Sequence, residues 1–242
     1  KFSSASEADN KVSGRRNPRE PKLTTSKGIN RFVWDMRYPS IPTIPGVFIE
    51  SSFRGHKAIP GNYTITLKAG AQTNSTTATI LANPLYQVGE NDYKEFDALM
   101  KQMEGEVITM HSMILDLYES KNQLEGVLKN LPSEEKYSAV KAKGDAVVQL
   151  LKAWDEDMIQ RKSTAYDDVE NFPNKFTAEY MFMVNQNESD IPRVNQPVLD
   201  LLKEYTPKWE ALKARGLDLK NNILPALNKQ LWEAGVGAVW IK

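Results

Sequence analysis

"NDYKEFDALMKQMEGEVITMHSMILDLYESKNQLEGVLKN", residues 91–130, is the stretch that decides the fold. Its apolar side chains recur at alternating spacings of three and four residues, at positions 96, 100, 103, 107, 110, 114, 117, 124 and 128. That spacing places one apolar stripe along a long α-helix and forms a seam for a neighbouring helix. Asn91 and Asp92 are predicted to cap its start, and Leu131-Pro132-Ser133 ends it.

Two further segments repeat the helical spacing. Ser133 is predicted to cap a helix that continues to Met158, and the short break before it makes these two helices antiparallel neighbours. A third long helix is predicted over residues 196–233. Pro207 and Pro225 lie inside it and predict kinks or a break, because an internal proline removes a backbone hydrogen bond.

A short helix over 176–184 and an apolar tail, "GVGAVWIK" at 235–242, complete this part of the chain. We expect the tail to be extended and to dock on the rest of the protein. Residues 91–242 therefore predict an antiparallel bundle of three long helices plus a short one.

The N-terminal part has a different period. "GINRFVWDMRYPS" at 28–40 places large side chains at every second position, which predicts a strand with one aromatic face turned inward: Phe32, Trp34, Met36 and Tyr38. "AIPGNYTITLKAG" at 58–70 and "GAQTNSTTATILANP" at 70–84 are two β-branched runs joined by a short polar turn. Such a pair predicts a β-hairpin.

The predicted fold class is therefore α+β in two domains. Residues 1–88 are expected to form a small antiparallel Ig-like β-sandwich with a basic N-terminal loop, and strands upstream of Lys1 can be missing from it. Trp34 and Tyr63 are expected to be buried against each other and to hold this sandwich together. Residues 91–242 are expected to form the helical bundle.

Charge divides the chain at the same place. Basic and acidic residues balance at 31 each, but residues 1–90 carry a net charge of +6 and residues 91–242 a net charge of −6. No overall field steers the protein to nucleic acid. The basic cluster of Arg15, Arg16 and Arg19 is interpreted as a solvated loop rather than a polyanion site, because no aromatic side chains interleave with it. No apolar run reaches the ~20 residues of a membrane span, and without cysteine there is no thiolate chemistry.

Residues with catalytic or ligand chemistry are few and scattered. His56 and His111 are the two histidines, and no second histidine lies at metal-ligand spacing from either. The acidic clusters at 155–157 and 167–168 are interpreted as solvated faces, because catalytic carboxylates need a defined separation across a cleft. The loop at 185–190 leaves open a weak Ca²⁺ site. The sequence therefore predicts no catalytic, cofactor-binding or metal-ligating residue, no cofactor, and no enzyme activity for this chain.

Four segments together resemble a known family: "GINRFVWDMRYP", "PGNYTITL", "NFPNKFTAEYMFMVNQNESDIPRVNQP" at 171–197 and "WEALKARG" at 209–216. The first two are similar to the final strands of immunoglobulin-like modules in exported bacterial proteins, including the flagellar hook-cap type. All four resemble the region C-terminal to the β-propeller in large bacterial BNR/Asp-box repeat proteins, which are sortilin-like and often labelled glycosyl hydrolases. The segment at 171–197 is the most specific of these similarities.

The resemblance implies an exported bacterial protein that is periplasmic, on the cell surface or secreted. It implies a non-catalytic accessory module that positions a β-propeller of the same protein or binds a separate protein chain. Asp-box repeats do not occur in these 242 residues, so an activity of the propeller is not carried over to them. The alternative is a carbohydrate-binding or hydrolase-associated unit that takes a glycan, with Trp232 and Trp240 as its platforms.

Overall fold

The computed structural model describes residues 2–4, 22–188 and 191–241. Two strands come first along the chain, β1 at Gly61–Ala69 and β2 at Gln72–Ile80. The helices that follow are α1 Glu90–Lys129, a 3₁₀ turn Glu135–Tyr137, α2 Ser138–Met158, α3 Asp168–Asn171, α4 Phe176–Glu188, α5 Gln196–Asp218, a π turn Leu219–Ile223 and α6 Leu224–Glu233.

The predicted long helix is confirmed in α1. It has 40 residues and is about 60 Å long at 1.5 Å per residue. The Asp92 carboxylate accepts a hydrogen bond from the Gly89 N–H at 2.8 Å, so Gly89 is the N-cap and the predicted capping pair lies just inside the helix. The apolar stripe is buried along nearly its whole length, with Met103, Val107 and Met110 fully inaccessible to solvent.

The other helices pack around this stripe. α2, α4 and α5 contact α1, and α6 packs on α2. Trp154 of α2 is fully buried and its indole N–H donates to the Leu212 carbonyl of α5 at 2.8 Å. Gly216 lies against the Trp154 ring and the end of Met113, where an added Cβ would be only 2.4 Å from the Met113 Cε. A glycine at this position lets α5 approach the two helices closely.

The predicted arrangement of three long helices plus a short one is wrong. The last run is divided by the π turn, which ends two residues before Pro225; a proline has no N–H to donate to the preceding turn. α5 continues through Pro207 without a break. α4 is a full member of the core, since Tyr180 and Met183 are buried between its neighbours. Ser133 is not a cap; a 3₁₀ turn with Glu134 at its start precedes α2.

The predicted Ig-like β-sandwich is also wrong. Of the described residues 54% are helical, and their only sheet is one antiparallel pair of strands. Residues 28–40 form no strand, because local hydrogen bonds turn the chain. The Asp35 carboxylate accepts from the Arg37 N–H at 3.2 Å, and the Trp34 indole donates to the Arg37 carbonyl at 2.9 Å. Met36 between them has a φ of 57°, in the left-handed region, which breaks the alternation of faces.

Residues 22–60, here called the arm, are extended chain that packs on the helices. Ile41, Ile44, Ile49 and Phe53 are buried in the same core as the helical stripes. The Ile41 N–H donates to the Phe53 carbonyl at 2.7 Å, so the arm forms a loop that closes on itself. The boundary at residues 88–91 between two domains stays a prediction. Arg15, Arg16 and Arg19 lie outside the described residues.

The C-terminal tail docks on the bundle, as expected. Val239 is buried, and the Asn228 side chain bonds both its N–H and its carbonyl at 2.8 Å. The Trp240 N–H donates to the Gln123 side chain of α1 at 2.9 Å. Among the helices of the described residues, none has the length and apolarity to cross a membrane.

Candidate functional site

The β-hairpin carries apolar side chains that the other described residues leave largely uncovered. Tyr63, Ile65 and Leu67 of β1 pair with Ala78, Thr76 and Asn74 of β2, and direct partners in an antiparallel pair share one face. We call these six residues the hairpin face. Ile65 is 49% exposed and Leu67 57% exposed, although both belong to the side of the strand that a sheet normally buries.

Both outer edges of the hairpin are also uncovered. Within the described residues β1 and β2 pair only with each other. Proteins usually protect such edges with charges or proline, but β2 has no charged residue and β1 has only Lys68. A two-stranded hairpin is marginally stable by itself in water. The hairpin therefore has the composition of a sheet that continues into other strands.

One end of the hairpin face is anchored to the arm. The Trp34 and Tyr63 rings meet edge to face with centroids 5.8 Å apart, and the Tyr63 hydroxyl donates to the Ile59 carbonyl at 2.7 Å. The predicted contact between Trp34 and Tyr63 thus forms. Both side chains are only half-buried, so the pair supports the base of the hairpin and does not form a sandwich core.

His56, in the arm just before β1, lies in a buried ionic cluster. Its ring Nδ1 is 2.9 Å from Glu104 Oε2, and its Nε2 is 3.1 Å from Asp97 Oδ1. The His56 backbone N–H donates to the other Glu104 oxygen at 2.8 Å. Lys101 is 2.6 Å from the second Asp97 oxygen, and the Tyr38 ring stacks on the imidazole with centroids 4.4 Å apart. We call these five residues the latch.

The latch is electrically balanced when His56 is protonated. Two cations, His56 and Lys101, then face two carboxylates, which compensates the charges in a site where the imidazole is fully inaccessible to solvent. Burial lowers the pKa of His56, but the hydrogen bonds and charges of Glu104 and Asp97 outweigh burial and raise that pKa above its ordinary value. For Asp97, burial raises the pKa, but Lys101 and His56 outweigh it, so the Asp97 pKa is lowered.

The second histidine has the opposite environment. His111 is buried, its Nδ1–H donates to the Pro42 carbonyl at 2.5 Å, and its Nε2 has no hydrogen-bond partner among the described residues. Burial lowers the pKa of His111 to about 4, against the smaller effect of the Pro42 carbonyl. His111 is therefore a neutral core residue. Within the described residues, neither histidine belongs to a group of side chains arranged to hold a metal ion.

The acidic clusters of the sequence have structural contacts. Asp155 is bonded by the Arg161 guanidinium at 2.5 and 2.6 Å, and Asp157 by Arg215 at 2.8 Å. Asp168 accepts the N–H groups of residues 164 and 165. In the loop considered for Ca²⁺, Asn187 is fully buried and donates to the Met100 sulfur, and residue 190 lies outside the described residues.

The two tryptophans considered for sugar binding are on the surface. Trp232 is 74% exposed and Trp240 66% exposed. A cleft of 610 Å³ lies between the end of α1 and the tail, lined by Gln123, Asn130, Tyr137 and the glycines at 235 and 237. Because Gln123 binds the Trp240 N–H, Trp240 is next to this cleft.

The latch was missed at the level of sequence, although one signal for it exists. Glu104 follows Met103 inside the apolar stripe of α1, and it is a buried charge among methionines. A charge at such a position needs a partner of opposite sign.

No protein-family model, curated protein or solved structure matches this chain.

Proposed function

We propose that this chain is a non-catalytic interaction module that binds a β-sheet of a partner protein through the hairpin face. The observation that carries the proposal is the exposure of Ile65 and Leu67 on a hairpin that has Lys68 as its one charged strand residue and whose two outer edges pair with no other strand of the described residues. β-Strand addition occurs at exposed sheet edges, and an exposed apolar face beside such an edge marks a surface for interaction with another protein.

The hairpin face can contribute part of the free energy of binding. Complete burial of an aliphatic side chain of this size contributes about 1.5–3 kcal/mol. Ile65 and Leu67 are roughly half exposed, so about half of that is still available from each. Backbone hydrogen bonds along an added strand, at about 1 kcal/mol each, extend the contribution.

The proposed partner is a BNR-type β-propeller, either of the same protein or in a separate chain of an exported bacterial assembly. Two things support it. The resemblance of residues 28–39, 60–67 and 171–197 to the region that follows such propellers gives the context. The chemistry of the hairpin gives the mode, since a propeller blade is a sheet with its own outer edge strand.

Site-specific photo-crosslinking tests the proposal. A benzoylphenylalanine is placed at Ile65, on the hairpin face, and as a matched control at Thr64, on the opposite face of the same strand. In cells that express the chain, we expect crosslinks from position 65 to a β-propeller protein identified by mass spectrometry. With that protein purified, Ile65→Lys should weaken binding at least about tenfold, whereas Thr64→Lys should not.

Two results would refute this. Equal crosslinking from positions 64 and 65 would show that the face does not determine binding. Crosslinks from position 65 to proteins without a β-sheet would show that the mode of binding is wrong.

A second candidate function is carbohydrate binding, which the exposure of Trp232 and Trp240 favours. The cleft next to Trp240 is lined by amide, phenol and glycine backbone groups without formal charge, which suits a neutral sugar. A glycan array probed with the purified chain tests it. Binding that is lost in Trp240→Ala and retained in Ile65→Lys supports this function, and an array without signal rejects it.

A further inference from the structure

The number of protons on the latch follows from its geometry. Both ring nitrogens of His56 lie within hydrogen-bond distance of carboxylate oxygens, at 2.9 and 3.1 Å. An ionised carboxylate only accepts hydrogen bonds, and a neutral imidazole has only one N–H. The arrangement is therefore satisfied when both nitrogens carry a proton, as in the imidazolium.

Loss of one proton leaves one contact unsatisfied. The deprotonated nitrogen then points a lone pair at a carboxylate oxygen about 3 Å away, a contact that is repulsive and unhydrated. The other groups cannot compensate, because Lys101 is already bonded to Asp97 and the second Glu104 oxygen already accepts the His56 N–H.

The latch connects α1 to the base of the hairpin through the arm. The Tyr38 N–H donates to the His56 carbonyl at 3.0 Å, and the Ala58 N–H donates to the Met36 carbonyl at 2.7 Å. Ile59, the next residue, accepts the Tyr63 hydroxyl of β1. The arm residues that contact the base of the hairpin face lie next to His56, and the latch attaches this part of the arm to α1.

We propose that the latch, with His56 protonated, holds the arm on α1 in a pH-sensitive way, and that loss of the His56 proton releases the arm at residues 36–38 and 56–58 and loosens the base of the hairpin face. The effect on docking rests on the proposed function, but the release of the arm does not. The charged or titratable groups around the latch are Asp97, Glu104 and Lys101 on α1, Tyr38 and Arg37 on the arm, Tyr63 on β1, and Glu188 on α4 through its ion pair with Arg37.

The sign of the effect follows from linkage. An unfolded histidine titrates near 6.5, and the contacts of the latch raise the pKa of His56 in the folded state. The contribution of the latch is complete below about 6.5 and is lost as the pH rises through the folded-state pKa. For each unit by which the pKa of His56 in the folded state exceeds its value in the unfolded state, the equilibrium constant for latch opening changes about tenfold.

Histidine side-chain ¹⁵N NMR tests the first part directly, because the chain has only two histidines. We expect both His56 nitrogens to be protonated in mildly acidic solution and to titrate above the ordinary value, while His111 stays neutral. The variant His111→Asn assigns the signals. A His56 that titrates at or below the ordinary value refutes the latch.

Amide hydrogen exchange, expressed as protection factors so that the intrinsic pH dependence cancels, tests the release. The Tyr38 and Ala58 amides should lose about tenfold in protection for each unit of the His56 pKa shift as the pH rises through that pKa. In His56→Asn, which keeps one donor but does not titrate, their protection should be lower and independent of pH. Protection in the native chain that does not follow the His56 titration contradicts the release.

Docking is measured separately by the crosslinking yield from position 65, below and above the His56 pKa. We expect the yield to fall at the higher pH. Equal yields at the two pH values refute the regulation of docking, whereas a titrating latch without any crosslinked partner refutes the proposed function and leaves the latch intact.

Discussion

Replacing Phe53 by alanine tests whether the arm is part of the helical fold. Phe53 is buried in the same core as the stripe of α1, and it lies in a segment that the sequence assigned to a separate sandwich. Truncation of a core phenylalanine costs about 3–5 kcal/mol, since it removes apolar contacts and leaves a cavity. That is a large fraction of the about 5–15 kcal/mol that stabilises a typical domain.

Urea unfolding followed by far-ultraviolet circular dichroism is the appropriate assay, because its signal comes from the helices and not from the arm. With a slope of about 2–3 kcal/mol per molar urea, the midpoint of helix unfolding should fall by about 1–2 M. The matched control is Phe182→Ala, an exposed phenylalanine on α4, which should change stability by no more than about 0.5 kcal/mol.

The outcome that would refute this reasoning is a helix transition at the same urea concentration in Phe53→Ala and in the unmodified chain. The arm would then unfold independently of the bundle. The contacts of Ile41, Ile44 and Ile49 with the core would also contribute nothing to the stability of the helices.

Two further predictions concern the arm and the core histidine. Gly55→Ala should destabilise the protein by about 1–3 kcal/mol, because an added Cβ would be 2.4 Å from the Tyr38 carbonyl oxygen. The matched control Gly105→Ala, in an open position of α1, should stabilise the protein by about 0.5–1 kcal/mol. Thermal unfolding measures both variants, and equal melting temperatures would contradict the prediction. The free energy of unfolding should fall by up to about 3 kcal/mol as the pH drops from about 6.5 to 4. The reason is that His111 becomes protonated in the unfolded chain, while burial keeps it neutral in the native protein down to a pKa of about 4. His111→Asn keeps a donor for the Pro42 carbonyl and should remove this part of the pH dependence of stability, so an unchanged pH profile in that variant would contradict the prediction.

The helices could be predicted because their cause is local. A stripe at three- and four-residue spacing needs only a neighbouring apolar surface, and α1 forms almost where the period starts and ends, at Glu90–Lys129. The interruption at 219–223 is less visible in the pattern. Pro207 and Pro225 look alike in sequence, but only the second is preceded by a π turn.

The arm could not be predicted because its contacts are irregular. The alternation over 28–40 is typical of a strand, but two side-chain hydrogen bonds stabilise a turn at Met36 instead: the Asp35 carboxylate accepts from the Arg37 N–H, and the Trp34 indole donates to the Arg37 carbonyl. Ile41, Ile44, Ile49 and Phe53 follow neither a helical nor a strand period. Such residues are recognised as core only once the helices that they cover are in place.

The contacts of the latch could not be predicted either, because its charged residues are far apart in the sequence. His56 is separated from Glu104 by 48 positions and from Asp97 by 41. The sequence treats His56 and His111 alike, as isolated histidines, and both are buried. The carboxylates of Glu104 and Asp97 raise the pKa of His56 against the effect of burial, whereas burial lowers the pKa of His111 because a single carbonyl beside it does not offset burial. The direction depends on contacts across the fold, which spacing along the chain does not contain.

The hairpin contributes little to the helical body of the protein. Its own apolar residues Ile65 and Leu67 remain in solvent, and none of its strand residues belongs to the hydrophobic core. Ordering a residue costs about 1–2 kcal/mol of backbone entropy, and a hairpin without a covered face recovers little of that. Contact with another sheet would recover it by burying the hairpin face and pairing the free edges. The cost of ordering, rather than any single residue, is therefore the physical reason to look for the function of this chain at the hairpin.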